Sequence, residues 1–271
     1  MKRVIAVVLS VGLAVVASPA QAAEKLVDAR LRYVRLLANG SVRVAFEYVC
    51  PGRYDYRALG FPATLLTVYQ IEASGHQVYA QKTFRDAVVC DGTMQTLIRS
   101  FRPPEGETFD PALMLTVELD LTVRSDSDPY PGTLRAREVD TFSLTSDGAA
   151  TRAADLRVEG VRLNDRGMLV FVVSYRCPTG WFVDVADDSD WADIAGVQNR
   201  PGLNDPTFWA PLGDDIVCDD ASHVIVKRLS DQQGIGFTRS LPVQFEAKMI
   251  LDEVGSQRYM TSSEGQTLLV A

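Results

Sequence analysis

Ten aspartates crowd the stretch from Pro178 to Asp220 against a single cation, Arg200, and all three tryptophans of the chain, Trp181, Trp191 and Trp209, stand among them. Clustered carboxylates suit a hard cation, and Asp187, Asp188, Asp190 and Asp193 place four within seven residues, a candidate Ca2+ site. The spacing departs from an EF-hand loop. Counting from Asp188, the third ligand position falls on Ala192, and Asp193 stands where the glycine belongs. A plainer reading is a solvated acidic loop that keeps the protein soluble. Tryptophan faces also stack on sugar rings; Trp181 is expected in a core, which leaves Trp191 and Trp209 as ligand-binding candidates. A cationic protein partner would use the same charge by steering. Paired carboxylates can hydrolyse glycosides, so an extracellular hydrolase is the alternative, although ten aspartates do not single out two. No Gly-x-Ser-x-Gly elbow, His-Glu-x-x-His pair or phosphate-cradling loop is present, and His76 and His223 have no counterparts in each other's surroundings.

The elements that would hold these residues are read from a duplication. Tyr48-Val49-Cys50-Pro51 and Val88-Val89-Cys90-Asp91 return as Tyr175-Arg176-Cys177-Pro178 and Ile216-Val217-Cys218-Asp219. At a constant offset of 127, Val42, Val44, Phe46 and Tyr48 fall on Leu169, Phe171, Val173 and Tyr175, and Gly40 falls on Gly167. Four cysteines allow three connectivities, and duplication of a self-sufficient unit selects Cys50 with Cys90 and Cys177 with Cys218. The copies differ in their loops: Pro51 to Asp91 is charge-balanced, whereas the matching acidic stretch carries −9.

Both quartets alternate with period two, the mark of a strand with one buried face. Further strands are predicted over residues 64–72, 77–84, 93–101, 113–123 and 133–144 of the first copy, and over 223–229 and 243–251 of the second. Helical periodicity is absent. The fold class expected is all-β, two tandem immunoglobulin-like β-sandwich domains, with a jelly roll or small barrel giving similar cues. Asn39-Gly40 predicts a tight hairpin, and Asn164 to Gly167 a longer one. The domains are expected over residues 23–146 and 155–271, joined by a small, polar linker at 147–154.

Lys2 and Arg3, an apolar run from Val4 to Val16, and Ala20-Gln21-Ala22 read as a cleaved signal peptide over residues 1–22. The run is too short to span a bilayer, so the mature form is expected to have no membrane span and to be secreted or periplasmic. Losing Lys2 and Arg3 takes the formal charge from −8 to −10, which argues against nucleic acid as a partner. With 46% apolar residues, there is material for genuine cores.

Tyr-x-Cys-Pro followed some forty residues later by Val-Cys-Asp-Gly and a strand, as in Tyr48 to Gly92, resembles small secreted bacterial two-cysteine β-sandwich domains of unknown function. The second copy departs at Asp220, where the first has Gly92. The resemblance implies an exported domain and attaches no activity. The expected function is a non-catalytic binding or structural module, its partner an envelope or extracellular protein or glycan.

Overall fold

The computed structural model describes residues 24–52, 55–60, 64–72, 74–127, 132–183, 191–200, 204–254, 256 and 258–270. The expected signal peptide lies outside them. The first copy comprises β1 (Glu24–Leu36), β2 (Val42–Val49), β3 (Tyr56–Ala58), β4 (Thr64–Ile71), β5 (Gln77–Thr83), β6 (Gln95–Phe101), β7 (Leu115–Ser125) and β8 (Gly132–Leu144). A short strand, β9 (Ala150–Arg152), follows. The second copy repeats the series as β10 (Asp155–Leu163), β11 (Leu169–Arg176), β12 (Trp181–Phe182), β13 (Ala192–Gln198), β14 (Thr207–Pro211), β15 (Ser222–Leu229), β16 (Pro242–Glu253) and β17 (Tyr259–Leu269). Among the described residues the only helical turns are two short 3-10 turns, Arg85–Ala87 and Gly213–Asp215, again at matched places. None of the described helices is long and apolar enough to cross a membrane.

Corresponding strands have corresponding partners. β2 pairs with β1 and β6, as β11 pairs with β10 and β15. The longer sheet runs β14-β13-β16-β17-β8-β7-β4-β5, four strands from each copy, within a strand network that nearly closes on itself. Two hydrophobic clusters form, one per copy. The first joins Val44 and Phe46 of β2 to Val117, Leu119 and Leu121 of β7; the second joins Phe171 of β11 to Phe245, Ala247 and Met249 of β16. Period-two alternation puts these side chains on one face, and each such burial contributes roughly 1.5–3 kcal/mol for the larger residues. The two β1–β2 and β10–β11 loops are the same length. Gly40 and Gly167 both adopt positive φ, and each N–H returns to the carbonyl three residues earlier, so the first turn is longer than the Asn-Gly dipeptide suggests.

The copies meet through β8 and β17, whose antiparallel register sets Glu138 opposite Glu264. This pair is the centre of a two-fold relation. The N-terminal part of β1 crosses to pair with β17, Lys25 facing Leu268, and β9 pairs with β8 in the same way, Arg152 facing Phe142. Strand β9 thus lies inside the segment expected as a linker. Three residues are too few to show alternation, and its order comes from backbone pairing with β8.

Side chains keep the same symmetry. β1 bulges between Leu31 and Tyr33, and β10 between Val158 and Gly160. A bulge leaves an N–H outside the ladder. Leu31 N–H donates to Glu138 Oε2, and Val158 N–H to Glu264 Oε2. Arg157 lies 2.6 Å from Glu138, across the seam, while its counterpart Arg30 lies 3.7 Å from Glu264. Thr261 N–H donates to Thr141 Oγ1 and Arg135 N–H to Thr267 Oγ1, both at 3.0 Å. Asp140 has the neutral Gln266 at the matching place; its Oδ1 accepts from Ser262 Oγ at 2.8 Å and its Oδ2 accepts from Arg152.

Burial first, and the Glu138 charge second, push the Asp140 carboxyl up to about 8, against the pull of Arg152 and Arg157. Burial raises Glu264 as well. Both groups hold protons more tightly in the folded chain than in the unfolded one. Their stabilisation is therefore complete below the ordinary carboxylate range and is lost as pH rises through their raised values, about 8 for Asp140. The melting temperature is expected to fall by about 5 °C from pH 5.5 to pH 8.5. Asp140→Asn, which keeps the shape without the charge, should flatten that slope; a flat wild-type profile in calorimetry would contradict the assignment.

Candidate functional site

The longer sheet turns one face toward the two clusters and the other outward, and its outward face carries a single cross-strand row from Trp209 to Asp120. Register sets Trp209 of β14 beside Ala195 of β13, Ala195 beside Glu246 of β16, Glu246 beside Gly265 of β17, and Gly265 beside Arg137 of β8; Arg137 is paired in turn with Asp120 of β7. Side chains directly opposite in an antiparallel pair share a face. Because Gly265 has no side chain, Arg137 Nη1 reaches across it to Glu246 Oε1 at 2.7 Å, while Arg137 Nη2 donates to Glu118 Oε1 at 2.7 Å. Beside this bridge lies an open groove of about 290 Å³, with Gly265, Ala195 and Val197 along its floor and Arg137, Gln244 and Glu246 around them.

The ion pairs hold the polar groups still. Burial opposes the charge on Arg137, but Glu246 and then Glu118 outweigh it and hold its proton more firmly than usual. Trp209 is 43% exposed, and its Nε1 donates to Asp193 Oδ2 at 2.9 Å, which fixes the indole next to Ala195, outside the residues that line the groove. Asp193 is otherwise 3.8 Å from Lys248 Nζ.

The two-fold relation supplies a comparison within the chain. The matching row of the first copy runs Gln81, Thr67, Glu118, Val139 and Ser263. Val139 stands where the second copy has Gly265, Thr67 where it has Ala195, and Gln81 where it has Trp209. Two larger side chains take the places of Gly265 and Ala195, and no indole stands beside them. The groove is therefore specific to one side of the seam, yet it needs Arg137 from the other copy.

The described aspartates of the acidic segment are dispersed. Asp184, Asp187, Asp188 and Asp190 lie outside the described residues, and Asp193 is a buried strand residue partnering Trp209. Asp214 lies in the short Gly213–Asp215 turn, and four others each serve their own turn or neighbour. Asp205 accepts from Arg200 N–H at 2.6 Å, Asp219 meets His223 Nε2 at 2.7 Å, Asp220 accepts from Thr179 Oγ1 at 2.8 Å, and Asp215 pairs with Lys227. No three His, Cys, Asp or Glu side chains among the described residues converge as a metal set. Trp181 packs against the second cluster. Trp191 is half-buried, its Nε1 without an acceptor among the described residues. Cys50 is bonded to Cys90 and Cys177 to Cys218, each with Cα atoms 4.8 Å apart. Such bonds fit an oxidising environment.

No protein-family model matches the chain, and no curated protein is significantly similar to it.

Proposed function

We propose that the protein is an exported, non-catalytic binding module, two immunoglobulin-like β-sandwich copies fused along β8 and β17, which binds its ligand in the groove beside Trp209. Cleavage after Ala22 would release it, and the two disulfides suit the periplasm or the extracellular space. One domain would extend from residue 23 to β8, the other from β10 onward, with β9 exchanged across the seam. The observation that carries the reading is the groove itself: a pre-formed apolar floor with a few convergent polar groups, next in register to an exposed tryptophan and present on one copy only. Its single facing carboxylate, Glu246, is committed to Arg137, so a binding role fits better than hydrolysis.

Envelope and insoluble extracellular material from the producing cells provide the test. The mature protein is expected to begin at Ala23 and to co-sediment with that material, while Gly265→Val, which copies Val139, stays in the supernatant. Wild-type protein that stays soluble, or a variant that sediments equally well, would sink the proposal.

A further inference from the structure

We infer that the groove takes a neutral glycan, one pyranose ring stacked on Trp209 above Ala195 with its hydroxyls on the Arg137–Glu246 pair and Gln244. This names the ligand class for the binding reading above and rests on it. Three observations converge. The first is that every positive charge here is paired. Asp120, Glu118, Glu246 and Asp193 face Arg135, Arg137 and Lys248 on this surface, every cation already within ion-pair distance of a carboxylate. No uncompensated positive charge remains to draw a phosphate, sulfate or uronate.

The second is the kind of hydrogen bonding on offer. A guanidinium donates in a fixed fork, a carboxylate only accepts, and an amide does both. A hydroxyl also does both, so adjacent sugar hydroxyls can satisfy Arg137, Glu246 and Gln244 without adding charge. The third is shape. Trp209 and Glu246 stand two strands apart, about 9.6 Å at ordinary strand spacing, with only Ala195 between them. A flat ring lying over Ala195 would meet Glu246 on one side and the indole on the other. A volume of about 290 Å³ is at the small end of ligand sites and suits one ring of a chain that continues along the open surface. The first copy, with Thr67, Val139 and Gln81 in the same row, offers neither gap nor platform.

Pull-down on cellulose, chitin and starch, with pectate as the anionic counterpart, tests the assignment, and tryptophan emission is titrated with oligosaccharides of whichever polymer binds. At least one neutral polymer is expected to be bound with a change in emission. Trp209→Ala and Gly265→Val should weaken binding at least tenfold, the size expected for loss of an aromatic anchor or of the space it frames. Gln244→Ala, an outward residue on an intact backbone, should weaken it about tenfold as a folded check. Binding to no neutral polymer, preference for pectate, or full binding by all three variants would overturn the ligand class. Sedimentation with native envelope separates this from the broader reading. If groove-dependent sedimentation persists after periodate oxidation of the envelope but is abolished by protease, the binding module stands and the glycan falls.

Discussion

Replacing Arg157 with methionine is expected to destabilise the protein by about 3–5 kcal/mol, the cost of leaving buried carboxylates short of a cation. Arg157 reaches Glu138 at 2.6 Å and Asp140 at 3.4 Å, and both carboxylates are completely buried at the seam. With Arg157 gone, two acidic groups face Arg152 alone, and Asp140 must take a proton more readily still. The loss should therefore be larger at pH 8 than at pH 6. For a chain of this length it corresponds to a fall of about 10 °C in melting temperature. The two-fold relation supplies the comparison: Arg30 stands at the matching place in the first copy, but its side chain is 34% exposed against 15% for Arg157, and it lies 3.7 Å from Glu264. Arg30 also lies 3.1 Å from Asp28, and Arg30→Met, at a side chain more open to water, is expected to cost less than Arg157→Met. Adding Asp140→Asn to Arg157→Met should restore part of the loss, since one buried charge is removed with its partner. Equal effects of the two arginine variants in urea unfolding would show that the seam is solvated.

The parts of the fold that the sequence displays are those in which each residue's neighbours along the chain determine its surroundings. Val42 to Tyr48 and Leu169 to Tyr175 alternate because each strand has one apolar side, and the cysteines pair as the duplication implies. The seam is different. Arg137, Glu138 and Asp140 put charge on both faces of β8, which breaks the alternation rule for a half-buried strand. That breach was the available signal of a second partner, but naming the partner needs β17, about 126 residues away, together with bulges that no periodicity reveals. The groove was hidden for a related reason. Gly265, Ala195 and Arg137 become neighbours only by register across three strand pairs, whereas the described aspartates of the acidic segment are spread over separate turns and one strand. Of the residues singled out for chemistry, Trp209 and Asp193 meet, and they do so by a hydrogen bond that orients the indole.

Breaking either disulfide is expected to cost about 4 kcal/mol, and breaking both about twice that, with the fold retained at room temperature. The reasoning starts from the unfolded chain: each bond closes a loop of 40 or 41 positions, and loop-closure entropy for that length gives roughly 4 kcal/mol. The folded geometry has independent support. Tyr48 Oη accepts from Val89 N–H at 2.9 Å and donates to the Ala87 carbonyl, and Tyr175 Oη accepts from Val217 N–H at 3.0 Å and donates to the Asp215 carbonyl at 2.9 Å. Each tyrosine thus latches the turn before the second cysteine to the strand that carries the first. Backbone bonds repeat the latch, Gly92 N–H to the Cys50 carbonyl and Asp220 N–H to the Cys177 carbonyl, and Asp220 keeps the positive φ of Gly92. Reduction should therefore lower the melting temperature by about 10 °C per bond while far-ultraviolet circular dichroism at 25 °C stays unchanged. Neither cysteines nor latch tyrosines line the groove, so ligand binding through Trp209 should survive reduction below the new melting point. Cys50→Ser with Cys90→Ser, and Cys177→Ser with Cys218→Ser, separate the two bonds. A variant pair that melts as the wild type does would show that its loop is already constrained in the unfolded chain, and one that is unfolded at 25 °C would show that the tyrosine latch cannot hold the turn alone.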